Sequence, residues 1–487
     1  MIQNPNRKNI EDLPASRLLA GLVVFNLVLK LILLPLNQAE YTDGILQLTL
    51  FKTPNRLYPP LFTLLSLVLK PILGDAETAG RLVSAVSSTL LVIPVFLLCR
   101  WIFNKRSAFF AGLIYTVSPV ALRWSGHAMT DALFSLLFFA SVLFWIRAWQ
   151  DKKSRPLIWC TVFAILATLT RYQGILLFPP VAFLVGVRFY KRKSLAWKEI
   201  GIQLLWALPV LWAIWYGFRH PGQFMERAGA SPWSTFVNMV NLFESFLCYS
   251  PYFLTWPVCF VLLYGLFHLG LKDFKRLVLL CLFLYLLVAL LVLQSAFSSF
   301  QSRYLLPLLP FVCLFAGWGL SRLHEQWRNG VGFKILFVVT ILYPLLFGLG
   351  SLFLQRETFS DLKEAALYVK KLPKETMVYS NETYKDIGPV KMRYWSGREI
   401  LHYSGEMELP SGAVLCLSSS YGGLQGFTQV RQWLEKEYGP ERLAYFEASV
   451  VPLLPEVMQE PFSHQNPLAL TFRYTPQYFR TEVYRIP

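Results

Sequence analysis

Residues 37–62, NQAEYTDGILQLTLFKTPNRLYPPLF, decide how the rest of the chain is interpreted. The stretch follows the first hydrophobic segment and precedes the second, and it contains two carboxylates, Glu40 and Asp43. Ionisable groups this close to hydrocarbon are costly, and at such positions they more often serve a site than a fold. The alternative is a solvated loop with ordinary surface acids. The surrounding chain must decide between the two.

The chain around this stretch has the composition of an integral membrane protein. Of its 487 residues, 55% are hydrophobic and only 15% are charged, and the mean hydropathy is +0.43. Hydrophobic runs of roughly 17 to 25 residues, the length that crosses a bilayer, recur between residues 18 and 354. We therefore predict about 11 transmembrane helices, with tight or broken hairpins near residues 118–127 and 171–173.

The positions of Lys and Arg predict the orientation of these spans. Of the 31 basic residues before Gln355, 21 fall in alternate loops, at residues 7–17, 100–106, 147–155, 188–198, 272–276 and 322–334. Cytoplasmic loops retain positive charge, so the N-terminus is predicted to be cytoplasmic and the C-terminal part to lie outside, most simply at a bacterial plasma membrane. The net charge of +17 thus comes from basic residues on the predicted cytoplasmic loops, where it also attracts anionic membrane lipids. No nucleic-acid partner is expected.

The composition changes after the last apolar run, and this change predicts two domains. Residues 1–354 form the transmembrane module, and residues 355–487 form an extracytoplasmic α/β domain. In the second part, DLKEAALYVKKL has helical spacing after a capping Ser360 or Asp361, and a strand-like TMVYS follows it. EILHYS, GAVLCLS, a helix-like FTQVRQWLEKEYG and a strand-like RLAYFEASVV come later, so helix and strand alternate. We expect this domain to recognise an acceptor or act as a lid.

Polar residues cluster in the outward loops in a way that lipid-facing helices would not tolerate. Together with the two acids they are Arg56, Tyr58, Arg123, His127, Asp131, Arg171, Arg303 and Tyr304. Arginines beside carboxylates on one side of a bundle suit an anionic headgroup whose hydrophobic tail stays in lipid. His127 and Asp131 are four residues apart and share one helix face if the helix begins there.

Structural alternatives remain open for these residues. Arg303 could instead anchor its helix at the membrane interface, and Arg171 could instead cap a broken helix. His127 fits a hydrogen-bonding structural residue better than a catalytic or metal-binding one, and Asp131 also suits a partner for Arg123. Tyr58 fits a loop-shaping role over a bound ligand.

The order of these motifs resembles the GT-C glycosyltransferases. An acidic first outer loop is followed by YPPLF, by TDALF at the start of a span and by RYLLPLLP late in the chain. The branch most similar holds the protein O-mannosyltransferases and the bacterial aminoarabinose transferase (glycosyltransferase family 39-like). The resemblance covers roughly residues 16–325. Many members carry adjacent Asp and Glu in the first loop, whereas here Asp43 precedes Gly44, which puts the partner of Asp43 in doubt.

The resemblance implies an enzyme that moves a sugar, by default mannose or a related hexose, from a polyprenyl-phosphate donor. The acceptor is a protein, lipid or glycan on the non-cytoplasmic side. Inverting transfer needs a carboxylate to deprotonate the acceptor hydroxyl, and Asp43 is the candidate, with Glu40 beside it. Guanidinium groups stabilise the departing lipid phosphate; Arg303 is the first candidate, with Arg56, Arg123 and Arg171 behind it. Because arginines neutralise the phosphate, no cofactor is required, and a divalent metal is left open.

Two other functions share several of these features. A transporter or flippase of polyprenyl-linked glycans also has many spans and cationic cavities, but internal repeats are expected there and none is detected. A surface polysaccharide ligase or polymerase shares the lipid donor, yet usually centres on a large outer loop between late spans. Detecting sugar transfer by the purified protein separates all three.

Overall fold

The structure is a computed structural model that describes most of the chain. The described residues are 13–52, 58–150, 153–192, 197–219, 240, 254–295, 303, 306–327, 330–382, 388–405, 407–420, 423–450 and 477–487. Two predicted site residues, Arg56 and Tyr304, lie outside these ranges. All statements below concern the described residues.

Helices occupy most of the described chain up to Leu354. They are α1 (Ala15–Leu33), α2 (Thr42–Leu48), α3 (Leu61–Leu73), α4 (Ala76–Leu90), α5 (Val92–Ile102), α6 (Lys105–Val117), α7 (Pro119–Ser125), α8 (Thr130–Gln150), α9 (Arg155–Thr168), α10 (Phe178–Arg192), α11 (Trp197–Arg219), α12 (Trp256–Phe267), α13 (Phe274–Ser295), α14 (Leu309–Trp327) and α15 (Val331–Leu354).

Six helical segments of the described chain are long and apolar enough to cross a membrane. They are Ala15–Leu36, Ala76–Ile102, Thr130–Trp149, Tyr172–Tyr190, Phe274–Val292 and Val331–Leu354. Four further apolar helices of 10–17 residues are shorter than a full crossing. The protein is therefore a multi-span helical membrane protein, as predicted, but the count of 11 spans is not confirmed.

Small residues allow the central helices to approach closely. A Cβ atom added at Gly265 of α12 would lie 2.1 Å from the carbonyl oxygen of Phe315 in α14, and one at Gly319 would lie 2.0 Å from the carbonyl oxygen of Val261. Contact between backbones of this kind is typical of helix packing within membranes, where small residues replace the hydrophobic driving force with tight van der Waals contact.

The predicted break near residues 118–127 is present and shapes one end of the bundle. Helix α6 ends at Val117, Pro119 begins the seven-residue α7, and α8 starts only at Thr130. Proline at the first helical position lacks the N–H that a helix start leaves unsatisfied, which makes Pro119 a natural beginning for a new helix. A second break follows α9, where a 3₁₀ helix spans Tyr172–Leu177.

The C-terminal part folds around a five-stranded sheet. Its strands are β1 (Val378–Ser380), β2 (Leu401–His402), β3 (Val414–Ser418), β4 (Glu441–Val450) and β5 (Gln477–Arg485), and its helices are α16 (Ser360–Val369), α17 (Val390–Ser396) and α18 (Gly423–Tyr438). The strand order is β2-β1-β3-β5-β4; β1 is parallel to both its neighbours, and β5 is antiparallel to β3 and β4. The predicted α/β character is confirmed, whereas β5 and α17 had not been predicted.

The start of α16 differs from the prediction. Its N-cap is Phe359, with no side-chain cap, so neither Ser360 nor Asp361 has the predicted capping role. Both residues are buried, and the Asp361 carboxylate instead accepts a hydrogen bond of 2.7 Å from the Thr481 hydroxyl of β5. The Asp361 side chain therefore binds Thr481, a distant residue in the sequence, instead of capping α16 as the local pattern predicted.

Candidate active site

Helix α2 presents the predicted catalytic loop as a short helix held against the α7–α8 turn. Asp43 is in its first turn, and a Cβ atom added to the next residue, Gly44, would lie 2.8 Å from the carbonyl oxygen of Ala128. The Gln47 amide oxygen accepts a 3.0 Å hydrogen bond from the backbone N–H of Thr130 at the start of α8. Gly44 thus allows the backbone of the α7–α8 turn to approach α2 closely.

Asp43 forms the centre of the candidate site. One carboxylate oxygen accepts a 2.5 Å hydrogen bond from Arg303, and the other accepts one of 2.8 Å from the Tyr58 hydroxyl. The side chain of Asp43 is 19% exposed, whereas that of Arg303 is buried at 7%. The structure therefore brings together three predicted site residues, Asp43, Arg303 and Tyr58. The Asp43 carboxylate remains partly accessible to an incoming group.

Glu40 has a different environment from Asp43. It is fully buried, pairs with Arg81 at 2.5 Å, and accepts hydrogen bonds from His127 at 3.2 Å and from the Ala128 backbone N–H at 3.1 Å. Burial alone would raise the pKa of Glu40, but the charge of Arg81 and the contacts with His127 lower that pKa to about 2. Glu40 is therefore an ionised anchor for the α7–α8 turn. Because Arg81 offsets its charge, we expect little like-charge repulsion between it and Asp43.

His127 belongs to this anchor, and the condition for a helix face shared with Asp131, a helix that begins at His127, is not met. Helix α8 begins at Thr130, after His127, because Glu40 holds the turn in a non-helical path. Burial lowers the pKa of His127, the contact with Glu40 opposes this effect, and Arg123 with Arg81 adds to it. The imidazole is thus held neutral, as a hydrogen-bonding structural residue would be.

Asp131 and Arg171 form a separate ion pair at the two helix breaks. Arg171 donates to the Asp131 carboxylate, and the two side chains are 13% and 3% exposed. Asp131 therefore holds Arg171, and the alternative pairing with Arg123 is not found. Arg171 joins the second break to the start of α8.

Arg123 and Arg303 both contact the indole ring of Trp124. Both guanidinium carbons lie over the Trp124 ring, at 5.7 and 5.8 Å from its centroid. Arg123 also donates a 2.6 Å hydrogen bond to the hydroxyl of Tyr41, whose ring contacts Trp124 and His127. Two guanidinium groups thus lie against one indole ring, and such a pair of cations is suited to a phosphate.

Sequence reasoning missed three residues of this region. Tyr41 follows Glu40 in the sequence and Trp124 follows Arg123, and this proximity to predicted site residues is the only sequence feature that could have indicated them. Arg81 lies four residues after Glu77 within a predicted span, and an acid and a base at that spacing in apolar sequence could have marked it. Within the described ranges, no group of three or more His, Cys, Asp or Glu side chains could hold a metal ion.

A family model matches the part of the chain that follows the acidic loop and precedes Arg303. The model for dolichyl-phosphate-mannose-protein mannosyltransferase matches residues 58–215, which is less than half of the chain. A search of curated protein sequences finds no match.

Solved structures match over a larger share of the chain. ArnT from Cupriavidus metallidurans in the apo state is similar with a TM-score of 0.61 and 14% identity, over 88% of this chain and 96% of that one. The same protein bound to undecaprenyl phosphate gives a TM-score of 0.59 and 14% identity, over 88% and 97%. The Archaeoglobus fulgidus oligosaccharyltransferase in complex with Zn and sulfate gives 0.53 and 12% identity, over 86% and 71%.

These matches confirm the predicted resemblance to the GT-C superfamily. The fold is that of ArnT, with a bundle of apolar helices and a C-terminal sheet domain. The fold and the family match together make this chain similar to the membrane-embedded glycosyltransferases of the GT-C type.

Proposed function

We propose that the protein transfers a sugar, with inversion, from a polyprenyl-phosphate donor to an acceptor on the non-cytoplasmic side of the membrane. Mannose or a related hexose is the preferred sugar, because the matching family model describes a dolichyl-phosphate-mannose enzyme. A donor lipid of this class also agrees with the undecaprenyl phosphate bound to the similar ArnT structure. The single observation that carries the proposal is the contact between Asp43 and Arg303.

In the proposed reaction Asp43 is the general base. Its carboxylate takes the proton of the acceptor hydroxyl while the acceptor oxygen attacks the anomeric carbon. The bond between that carbon and the phosphate oxygen breaks, and the lipid phosphate leaves with the bonding electrons. Tyr58 and Arg303 orient the carboxylate, since each contacts a different oxygen of it.

The arginines would stabilise the charge that develops on the leaving phosphate. Arg303 can serve both groups, because a guanidinium offers several donors in one plane and its Nη2 atom already binds Asp43. Arg123, 2% exposed, is held near it through the shared Trp124 ring. Arg171 is a weaker candidate because Asp131 already pairs with it.

We further propose that the chain divides into a membrane module of residues 1–354 and an extracytoplasmic domain of residues 355–487. The alternate basic loops support a cytoplasmic N-terminus. The membrane in this proposal is the plasma membrane of a bacterium. In this orientation α2 and the sheet domain lie on the same, outer side.

The test is sugar transfer by the purified protein in lipid nanodiscs. Polyprenyl-phosphate mannose and the corresponding glucose and galactose donors are supplied with a crude extracytoplasmic fraction as acceptor, and labelled product is followed. We expect a transferred sugar whose anomeric configuration is inverted relative to the donor. Movement of intact lipid-linked sugar across the bilayer without transfer would contradict the proposal and favour a flippase.

A further inference from the structure

Residues 37–41, which lead into α2, are bonded to the sheet domain through their backbone. The backbone N–H of Gln38 donates a 3.1 Å hydrogen bond to the carbonyl oxygen of Arg356. The carbonyl oxygen of the same residue accepts a 2.9 Å hydrogen bond from the ammonium group of Lys363 in α16. Both polar backbone groups of Gln38 are therefore engaged by the part of the chain that follows the last membrane helix.

The ammonium group of Lys363 also binds the membrane bundle. It donates a 2.7 Å hydrogen bond to the carboxylate of Glu77 at the start of α4, and it lies 5.6 Å from the centroid of the Trp395 ring. The Trp395 indole N–H donates to the other oxygen of Glu77 at 2.5 Å. An ammonium group has three N–H donors, so Lys363 holds the carbonyl of Gln38 and the carboxylate at the same time.

Arg81 of α4 holds the same residues from the other side. It donates a 2.7 Å hydrogen bond to the carbonyl oxygen of Asn37 and pairs with Glu40 at 2.5 Å. It also faces Glu77 at 3.7 Å. The chain before α2 thus lies between a guanidinium group of the membrane bundle and the ammonium group of Lys363.

Apolar contacts continue this interface along α2 itself. Ile45 and Leu46 are 0% and 2% exposed, and they belong to the same apolar cluster as Leu362 and Trp395 of the sheet domain. Asp43 is in the first turn of this seven-residue helix. A helix this short has little stability of its own, so its position depends on such tertiary contacts.

Phe359 adds a contact with the candidate site. Its φ of 64° is in the left-handed region, an outlier for a bulky residue that persists only where the surrounding structure determines it. The ring makes an edge contact of 5.8 Å with Tyr41, whose hydroxyl accepts the hydrogen bond from Arg123. The sheet domain therefore touches the chain before α2 at a backbone group and at an aromatic side chain.

We propose that Lys363 is a positioning residue of the active site, supplied by the sheet domain. Its ammonium group joins the Gln38 carbonyl to Glu77 and so fixes the start of α2, which places the Asp43 carboxylate for proton transfer. The sheet domain is then part of the catalytic unit, and more than an acceptor-recognition domain or lid. The inference rests on the proposed function, since Asp43 is the general base there.

Turnover and donor affinity test this role together. Lys363→Met removes the ammonium group from a side chain that is 24% exposed. We expect turnover to fall by about 10- to 10²-fold, because small displacements of a catalytic group are costly. Donor affinity should stay unchanged, since the change lies away from Arg303. Lys363→Arg keeps the charge and several N–H donors, so it should retain most of the turnover.

Hydrogen–deuterium exchange of the peptide that covers residues 37–48 tests the contact without sugar transfer. In Lys363→Met the Gln38 carbonyl loses its partner, so the amides of this peptide should exchange faster than in the wild type. In Lys363→Arg the exchange should resemble that of the wild type.

Tyr438→Phe is the matched control for lost stability of the sheet domain. The Tyr438 hydroxyl accepts a 3.3 Å hydrogen bond from the backbone N–H of Leu409. Tyr438 packs against the apolar cluster that contains Leu415, whereas Val414 and Cys416 of the same strand belong to the cluster beside α2. Alternate residues of a strand face opposite sides, so this control lies on the far side of the sheet. We expect a lower thermal midpoint with unchanged turnover and unchanged exchange of residues 37–48.

Two results would overturn the inference. One is wild-type turnover and wild-type exchange in Lys363→Met. The other is an equal loss of turnover in Tyr438→Phe, which would attribute the loss to the stability of the domain. If Lys363→Met does not yield folded protein, Glu77→Gln replaces it: loss of the charge that binds the ammonium group should also speed exchange, and unchanged exchange would overturn the inference.

An absence of transfer in the wild type would refute the proposed function instead. The exchange measurement would still decide whether Lys363 holds the chain before α2, so the two failures are distinguishable.

Discussion

Replacing Glu40 with glutamine should destabilise the protein more than any other single change at the site. The carboxylate is fully buried and pairs with Arg81, which is itself 8% exposed. Its pKa falls from an ordinary value of 4.5 to about 2, and each pKa unit corresponds to about 1.4 kcal/mol, so the ionised form gains about 3 kcal/mol in the folded state. Removing one partner of a buried ion pair costs about 3–5 kcal/mol, which is of the same size.

The sign of the pH dependence follows from the direction of that shift. A carboxylate whose pKa is lower in the folded protein contributes stability above its unfolded pKa and loses it as the pH falls through the folded value. We therefore expect the wild-type thermal midpoint in detergent to decline between pH 4.5 and 2. Glu40→Gln should have a lower midpoint at pH 7 and a flatter decline in acid.

Asp43→Asn provides the comparison for this measurement. Asp43 is partly exposed, so losing its charge should lower the midpoint by less than Glu40→Gln does. A Glu40→Gln protein with the wild-type midpoint at pH 7 and the wild-type acid sensitivity would refute the assignment of Glu40 as a structural anchor.

Three further predictions concern the loop, the donor site and the orientation. Gly44→Ala should reduce turnover, because the new Cβ atom would lie 2.8 Å from the backbone oxygen of Ala128 and must displace α2. The control, Gly21→Ala, adds a Cβ atom with nothing within 4 Å and should leave turnover intact. Equal turnover in the two variants would contradict the close approach at Gly44. Arg303→Lys keeps the charge but loses the planar fork, so measured donor affinity should fall, and fall further in Arg303→Ala; unchanged affinity in both would remove Arg303 from the donor site. A topology reporter fused after Pro487 should be active outside the cytoplasm, and activity only in the cytoplasm would reverse the orientation.

The sequence predicted the elements of the site better than their pairing. Membrane class, the acidic loop and the arginines follow from composition and local pattern. The contact between Asp43 and Arg303 joins residues 260 positions apart, and no local pattern specifies such a partner.

Two features of the fold were missed for related physical reasons. Strand β5 pairs with β3 and β4, and these neighbours precede it by many residues, so its place within the sheet depends on long-range pairing. The break before α8 was predicted, but the position of His127 in the turn was not. That position depends on the Glu40 carboxylate, which accepts hydrogen bonds from His127 and from the Ala128 backbone N–H. Tertiary partners decided both outcomes.

Single-turnover transfer by Asp43→Asn tests the central claim most directly. Removing a positioned base lowers the rate by about 10²- to 10⁴-fold, and the nearly isosteric amide should leave donor binding intact. The matched control is Glu199→Gln, which also neutralises a carboxylate paired with arginine, here Arg188 at 3.1 Å within the predicted cytoplasmic region. The account predicts loss of transfer with retained donor binding in Asp43→Asn and near-normal transfer in Glu199→Gln. Near-normal transfer by Asp43→Asn, with an inactive but folded Glu40→Gln, would contradict it.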